Sequence, residues 1–293
     1  MARALSEAVA PDRLTVVVNV GDDDYMYGAH VAADLDTVTY TLAGIQGPQG
    51  WGIADDTFHV MDEMAARGID TSFRLGDSDL ATCLYRTDRL RTGIPLSAIT
   101  TEISSSLGVQ ARILPASDDR IRTRIQISNG EWLEFQEYFV KRRHSDEVVG
   151  LHYAKAATAR PAPGVIAAIE DADLVVIAPS NPPLSIWPIL EIPGVRAAIE
   201  TAGNVVAVSP LFGGKALKGP AAKVLASLGL PAGTAGILAA YEGLLTTLVV
   251  DVSDIADVAL STGATQIIAA DTRMTSVEAG RAFGTWLMDT MSG

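Results

Sequence analysis

A chain of 293 residues, 48% of them apolar, can bury a large core and is somewhat long for one ordinary domain. Its formal net charge of −13 argues against nucleic acid or an anionic membrane as a partner, because binders of phosphate polymers present a basic stripe. The single cysteine, Cys83, excludes an internal disulfide and a multi-cysteine zinc site and points to a reducing compartment, the cytoplasm; no run of about 18 apolar residues marks a membrane span.

In chain order, the first segment, "ARALSEAVA", has helical spacing with Leu5 and Val9 on one face. Leu14 to Val20, "LTVVVNV", is a short β-branched run of the kind that forms a buried strand. The middle of the chain changes character, with helical spacing over 57–67, 79–91 and 97–107. "RTRIQISNGEWLEFQEYFV" then alternates side chains on either side of Asn129-Gly130, a strong hairpin signal. Further β-branched runs at 173–178, 204–209, 247–250 and 266–269 are separated by helical stretches such as 221–228 and 276–288. This alternation predicts an α/β fold, a doubly wound, Rossmann-like, mostly parallel sheet. Residues 1–44 and 151–293 are expected to form its core, with 45–150 an inserted subdomain of helices and an antiparallel hairpin.

Ligands of open parallel sheets sit beyond the carboxyl ends of the strands, and three loops there carry unusual chemistry. The first, "NVGDDDYMYGAHVAADLDT", gathers Asp22, Asp23, Asp24, Asp34 and Asp36 after a strand. The second, "APSNPPLSIWPIL", presents Ser180 and Asn181 in a proline-stiffened turn, and the third, "SPLFGGKALKGPA", sets Gly213-Gly214 beside Lys215 and Lys218 ahead of a helix. Alone, each signal is weak: the second reads equally well as a plain strand-to-loop turn and the third as a helix entry with surface lysines, while a solvated turn with Asp34 capping a helix accounts for a single aspartate of the first better than for the cluster. Together they suggest a diphosphate bridged by a hard cation such as Mg²⁺, held by carboxylates, with glycine-rich backbone approaching the anion. His30, His59, His144 and His152 show no ligand spacing and read as surface or loop residues; Cys83 reads as a small packed residue. Neither a G-x-S-x-G elbow nor a Walker loop is present.

The segments "NVGDDDYMYG", "DLDTVTYTLAG", "GWGIADDTF", "LGDSDLAT", "FQEYFV", "PSNPPLSI", "PILEIPGVR" and "AVSPLFGGKALKGPA", in order across nearly the whole chain, resemble the 2-phospho-L-lactate transferase family of coenzyme F420 biosynthesis, including its actinobacterial phosphoenolpyruvate-using branch. The resemblance implies a Mg²⁺-dependent reaction in which a guanylyl diphosphate donor gives a phospholactyl or phosphoenolpyruvyl group to the deazaflavin Fo, releasing GMP, in a cytoplasmic homodimer. It also implies site residues: Asp22, Asp23, Asp34 and Asp36 as metal ligands, Asp22 and Asp36 as catalytic groups, and Asp36, Thr37 and Ser78 against Fo. Ser180, Asn181, Ser209, Gly213, Gly214 and Lys218 would hold the donor. Three positions depart from the family pattern: Ser78 and Cys83 stand where "LGDRDLATH" has arginine and histidine, with Arg86 a candidate substitute cation, and Trp187 replaces a glycine beside the donor loop. Family members open with a strand and a G-G-x-G-G-A-type loop, so the expectation is an N-terminally shortened chain. A noncatalytic binder on the same fold, similar to the gluconeogenesis-factor group, is the alternative.

Overall fold

The computed structural model describes residues 1–217 and 219–291. Helix α1 (Ala2–Ser6) precedes strand β1 (Thr15–Val18), whose end feeds a small hairpin of β2 (Asp24–Met26) and β3 (Ala29–Val31). Helix α2 (Ala33–Leu42) follows, and then α3 (His59–Ala66), α4 (Asp77–Arg91) and α5 (Leu96–Ser106), each within two residues of the predicted span. β4 (Arg112–Pro115) pairs in parallel with β1, Thr15 opposite Arg112 through Val18 opposite Pro115. β5 (Arg122–Ile127), β6 (Trp132–Glu134) and β7 (Val148–Ala154) form an antiparallel sheet in the order β6–β5–β7. The remaining strands are β8 (Val175–Ile177), β9 (Val205–Val208), the two-residue pair β10 (Leu211–Phe212) and β11 (Lys215–Ala216), β12 (Thr247–Asp251) and β13 (Gln266–Ala270). Four of these make a parallel sheet in the order β13–β12–β9–β8.

Alternation along the central strands builds cores on both faces, as a doubly wound sheet requires. Val205, Ala207, Leu248 and Val250 point into one buried cluster; Val206, Val208 and Val249 point into the other. Burying each such valine stabilises the fold by roughly 1.5 kcal/mol or more. The second cluster is closed by α1 and the helix Val277–Met291, through Leu5, Phe283 and Leu287. Gly284 permits that packing: a Cβ there would lie 2.2 Å from the Ala4 carbonyl oxygen.

Three features differ from the sequence reading. β4 lies within the stretch assigned to the insertion, yet it joins the parallel layer beside β1; "RILP" is too short and too mixed to stand out from its surroundings. The second arm of the hairpin ends at Glu134, and "FQEYFV" turns into a helical segment, Glu137–Lys141. Burial of Tyr138 against Ile125 and Leu133, and stacking of Phe135 on Phe139 with ring centroids 5.4 Å apart, favour helical over strand spacing there. Finally, the β1–β4 pair and the four-stranded sheet are not joined by hydrogen bonds among the described residues.

Candidate functional site

The carboxyl ends of β1, β8, β9 and β13 open into a cleft of about 940 Å³, within the range of small-molecule sites. Asp22, Asp34, Asp36 and Thr37 line one end, Ser180 and Asn181 the middle, and Trp51, Phe135, Phe139 and Leu217 an apolar wall. Asp34 and Asp36 are brought in by the first turn of α2, where the helix dipole favours anions.

Asn19, at the end of β1, organises the acidic end. Its side-chain oxygen accepts from the Gly21 N–H (2.8 Å), and its Nδ2 donates to Asp22 Oδ1 (3.0 Å) and Asp34 Oδ2 (3.2 Å). Two carboxylates are thus held together by one neutral amide. Burial, with the Asp34 and Asp23 charges beside it, pushes Asp22 well above the ordinary carboxylate range; burial also raises Asp34, against the Asn19 hydrogen bond. A hard divalent cation would relieve both effects, and an all-oxygen pair is the donor chemistry Mg²⁺ prefers.

The other two aspartates of the expected metal quartet are engaged differently. Asp36 Oδ1 is paired with Arg86, which is 2% exposed, while Asp36 Oδ2 is buried without a partner among the described residues. Arg86 also donates to the His30 carbonyl (3.0 Å), so the guanidinium is fixed from two elements. Asp23 does not line the cleft; its carboxylate faces His30 at 3.9 Å. His30 itself is buried on β3, not on the surface as its sequence context suggests; burial and then the Arg86 charge push its imidazole down to about 4, so it is neutral at pH 7. Cys83 is fully buried, as expected, and its sulfur lies among oxygens of Asp36 and Asp79, a mixed set that does not suit Mg²⁺. Asp79 accepts from Tyr40 Oη (2.9 Å) and is pushed up to about 6, first by burial and then by Asp36.

The donor residues expected from sequence divide in the same way. Ser180 and Asn181 line the cleft, and the side-chain N and O of Asn181 are buried with no partner among the described residues. Such a residue costs stability unless a ligand completes it. Ser209 is buried and does not line the cleft, its Oγ accepting from the Leu211 N–H (3.2 Å). Gly213 and Gly214 form the positive-φ turn between β10 and β11 rather than a helix entry, and the Gly213 N–H donates to Asp254 (2.8 Å). Neither glycine lines the cleft, Lys218 lies outside the described residues, and Ser78 stands beside the cleft with its N–H given to Asp56 (2.9 Å).

Among the described residues, sequence reasoning missed two cations of the cleft, Arg74 and Arg273, and its aromatic wall. Arg273 follows β13, and its loop is pinned by Asp251, which accepts from the Thr272 N–H (3.3 Å). Its position just past a strand end was the available signal. Trp187 does not narrow the cleft: its indole N–H donates to the Ala240 carbonyl (3.0 Å) and its ring packs on the core. Trp187→Gly is therefore expected to cost about 2–4 kcal/mol of stability, read by urea unfolding, without tightening any cleft ligand; unchanged stability with tighter ligand binding would contradict this placement.

The sequence profile described as "2-phospho-L-lactate transferase CofD" matches residues 1–281. Phosphoenolpyruvate transferases of Streptomyces griseus and Streptomyces coelicolor are 44% and 42% identical to the chain over 259 residues, covering 86% of it and 81% of each relative. That of Mycolicibacterium smegmatis is 42% identical over 235 residues, 78% of this chain and 72% of the relative. A crystal structure of a UPF0052 family member from Bacillus halodurans shares the fold, with a TM-score of 0.62 at 16% identity over 98% of this chain and 95% of that one. The chain belongs to the 2-phospho-L-lactate transferase family.

Proposed function

We propose that this member of the 2-phospho-L-lactate transferase family transfers a phosphoenolpyruvyl or phospholactyl group from a guanylyl diphosphate donor to the terminal ribityl hydroxyl of Fo. The observation that carries this reading is one cleft joining the Asp22–Asp34–Asp36 end to Arg273 and to Asn181, whose side-chain N and O have no partner among the described residues, with an aromatic wall alongside. Phe135, Phe139 and Trp51 offer flat apolar surface to a ring acceptor; Trp51, 65% exposed, has that surface free.

The acceptor hydroxyl oxygen forms the new bond to the phosphorus that bears the three-carbon acid, the bond from that phosphorus to the bridging oxygen breaks, and GMP leaves. Asp36 Oδ2, unpartnered among the described residues, takes the hydroxyl proton, while Arg86 holds the other oxygen and fixes the carboxylate's aim. Asp22 and Asp34 would hold Mg²⁺, whose charge would neutralise the diphosphate. Asn181 and Ser180 orient the donor, and Arg273 and Arg74 supply positive charge in an otherwise acidic molecule. By the same reading the protein works in the cytoplasm as a homodimer, for which sedimentation of the purified protein is the check.

Purified protein incubated with Mg²⁺, Fo and each donor in turn should yield GMP and the phosphodiester of Fo, read by mass spectrometry. Binding of donor without product from either donor would leave a nucleotide binder instead. Asn181→Ala is expected to raise the donor KM by about tenfold, from loss of roughly 1–2 kcal/mol of hydrogen bonding, while the Fo KM stays constant. Equal effects on both substrates would place Asn181 elsewhere in the reaction.

A further inference from the structure

We infer that Arg273 selects the base of the donor, its two terminal nitrogens donating to O6 and N7 of guanine, so that guanine diphosphates are taken in preference to adenine ones. This rests on the guanylyl diphosphate reading above and gives it a specificity residue. Arg273 lines the cleft just past β13 and is held from two sides. Its Nε lies 3.8 Å from Asp251 Oδ1, and its guanidinium carbon sits 5.5 Å from the centre of the Phe212 ring, within cation–π range. Asp251 is a firm anchor. Fully buried at the end of β12, it accepts from the Ser253 N–H (3.0 Å) and Oγ (2.5 Å) with one oxygen and from the Thr272 N–H and Oγ1 (both 3.3 Å) with the other. Burial alone would raise this carboxyl, but the hydrogen bonds from Ser253 and Thr272 outweigh it and hold the group below the ordinary range, so it is ionised at pH 7. No described residue accepts a hydrogen bond from Nη1 or Nη2 of Arg273, and its side chain is half-exposed, which leaves the outer edge of the guanidinium to a ligand. Arg74 differs: its Nη2 donates to Asp62 Oδ1 at 2.8 Å and its face lies on the Phe58 ring, so its fork is already engaged.

Sheet order decides which part of the donor reaches Arg273. β13 and β8 are the two outer strands of the four-stranded sheet, three spacings apart, so the loop that carries Arg273 and the loop that carries Asn181 leave the sheet about 14 Å from each other. The acidic loop lies on the β8 side: a Cβ on Gly21 would stand 3.0 Å from Pro188 Cβ, in the segment that follows β8 and Asn181. With the reacting phosphorus at the acidic end and the diphosphate against Ser180 and Asn181, the base is the part of the donor that extends toward β13. Asp251 already offsets part of the Arg273 charge, so the planar fork of donors counts for more here than bare attraction to phosphate. Guanine offers two neighbouring acceptors, O6 and N7, that a guanidinium meets with two parallel hydrogen bonds. Adenine carries an amino group in place of O6, and that group would face the Arg273 N–H groups donor to donor. Phe212 and the exposed Leu217, both on the cleft, give apolar surface to the plane of the base.

The test is calorimetric binding of GDP, IDP and ADP, with Mg²⁺ present, to the full chain and to its Arg273→Met and Arg273→Lys variants. IDP keeps O6 and N7 without the 2-amino group of guanine, and ADP keeps only the diphosphate and ribose. The parent should bind GDP and IDP at least about tenfold more tightly than ADP. Arg273→Met should weaken GDP and IDP by about tenfold while ADP stays within about twofold of the parent, the unchanged ADP affinity showing that the cleft is folded. Arg273→Lys keeps the charge but loses the fork, and it should lose selectivity as Arg273→Met does. Equal weakening of GDP and ADP would make Arg273 a phosphate contact and overturn the assignment. So would a parent that binds GDP and ADP alike, IDP bound no better than ADP, or parental selectivity in Arg273→Lys. Selective GDP binding left unaltered by Arg273→Met would remove this assignment alone, whereas no binding of any of the three nucleotides would remove the guanylyl donor together with it.

Discussion

Asp36→Asn is expected to lower the transfer rate by about 10²-fold or more and, in the same protein, to cost about 3–5 kcal/mol of stability. The first effect follows from Oδ2, the oxygen of this carboxylate that has no partner among the described residues. The second follows from Arg86: its guanidinium is buried at 2% exposure against Asp36 Oδ1, and neutralising one partner strands the other charge in the interior. Arg86→Met should be similarly destabilising, since it leaves Asp36 without its cation. Combining Asp36→Asn with Arg86→Met removes both charges, so urea unfolding should show the double variant more stable than either single one while transfer stays depressed. A double-mutant cycle with no coupling would mean that the pair does not hold the carboxylate, and an Asp36→Asn rate within a few-fold of the parent would remove it from the chemistry.

Asp34→Asn should separate stability from activity in the opposite direction. Asp22, buried, and Asp34, partly buried, share one amide donor, and desolvation raises both carboxyl groups, so the two charges destabilise the metal-free protein. A carboxyl raised in the folded state binds more protons there than in the unfolded chain once the pH exceeds the ordinary carboxylate value, so stability falls as pH rises from that value through the raised one. The neutral asparagine removes this loss. Melting by circular dichroism in the presence of EDTA should therefore give Asp34→Asn a midpoint a few degrees above the parent at pH 7, with a flatter pH dependence above about 4. In excess Mg²⁺ the order should reverse, because the ion binds the folded parent and raises its melting point. Transfer by the variant should fall by about 10²-fold or more. A parent whose melting point ignores Mg²⁺ would exclude this pair as the metal seat.

The fold class was legible in the sequence alone, and the proposed site was marked there by its carboxylates. β-branched runs of four to seven residues between helical stretches admit few arrangements besides a covered parallel sheet, and β1, β8, β9, β12 and β13 formed where those runs lie. Acidic residues just past a strand end also announced themselves locally, because nothing in the packing of a short apolar strand calls for five carboxylates. The tertiary structure decided how those carboxylates divide. Asn19 gathers Asp22 and Asp34 across 15 positions of sequence, whereas Arg86 claims Asp36 from 50 positions away, and no spacing rule links α4 to α2. It likewise took Gly213 into a hairpin turn, Trp187 into the core, and Arg273 and Phe139 into the cleft. These outcomes depend on which side chains neighbouring elements bring within a few ångströms, and local periodicity, which reports only the face a residue occupies on its own element, carries no information about the element opposite.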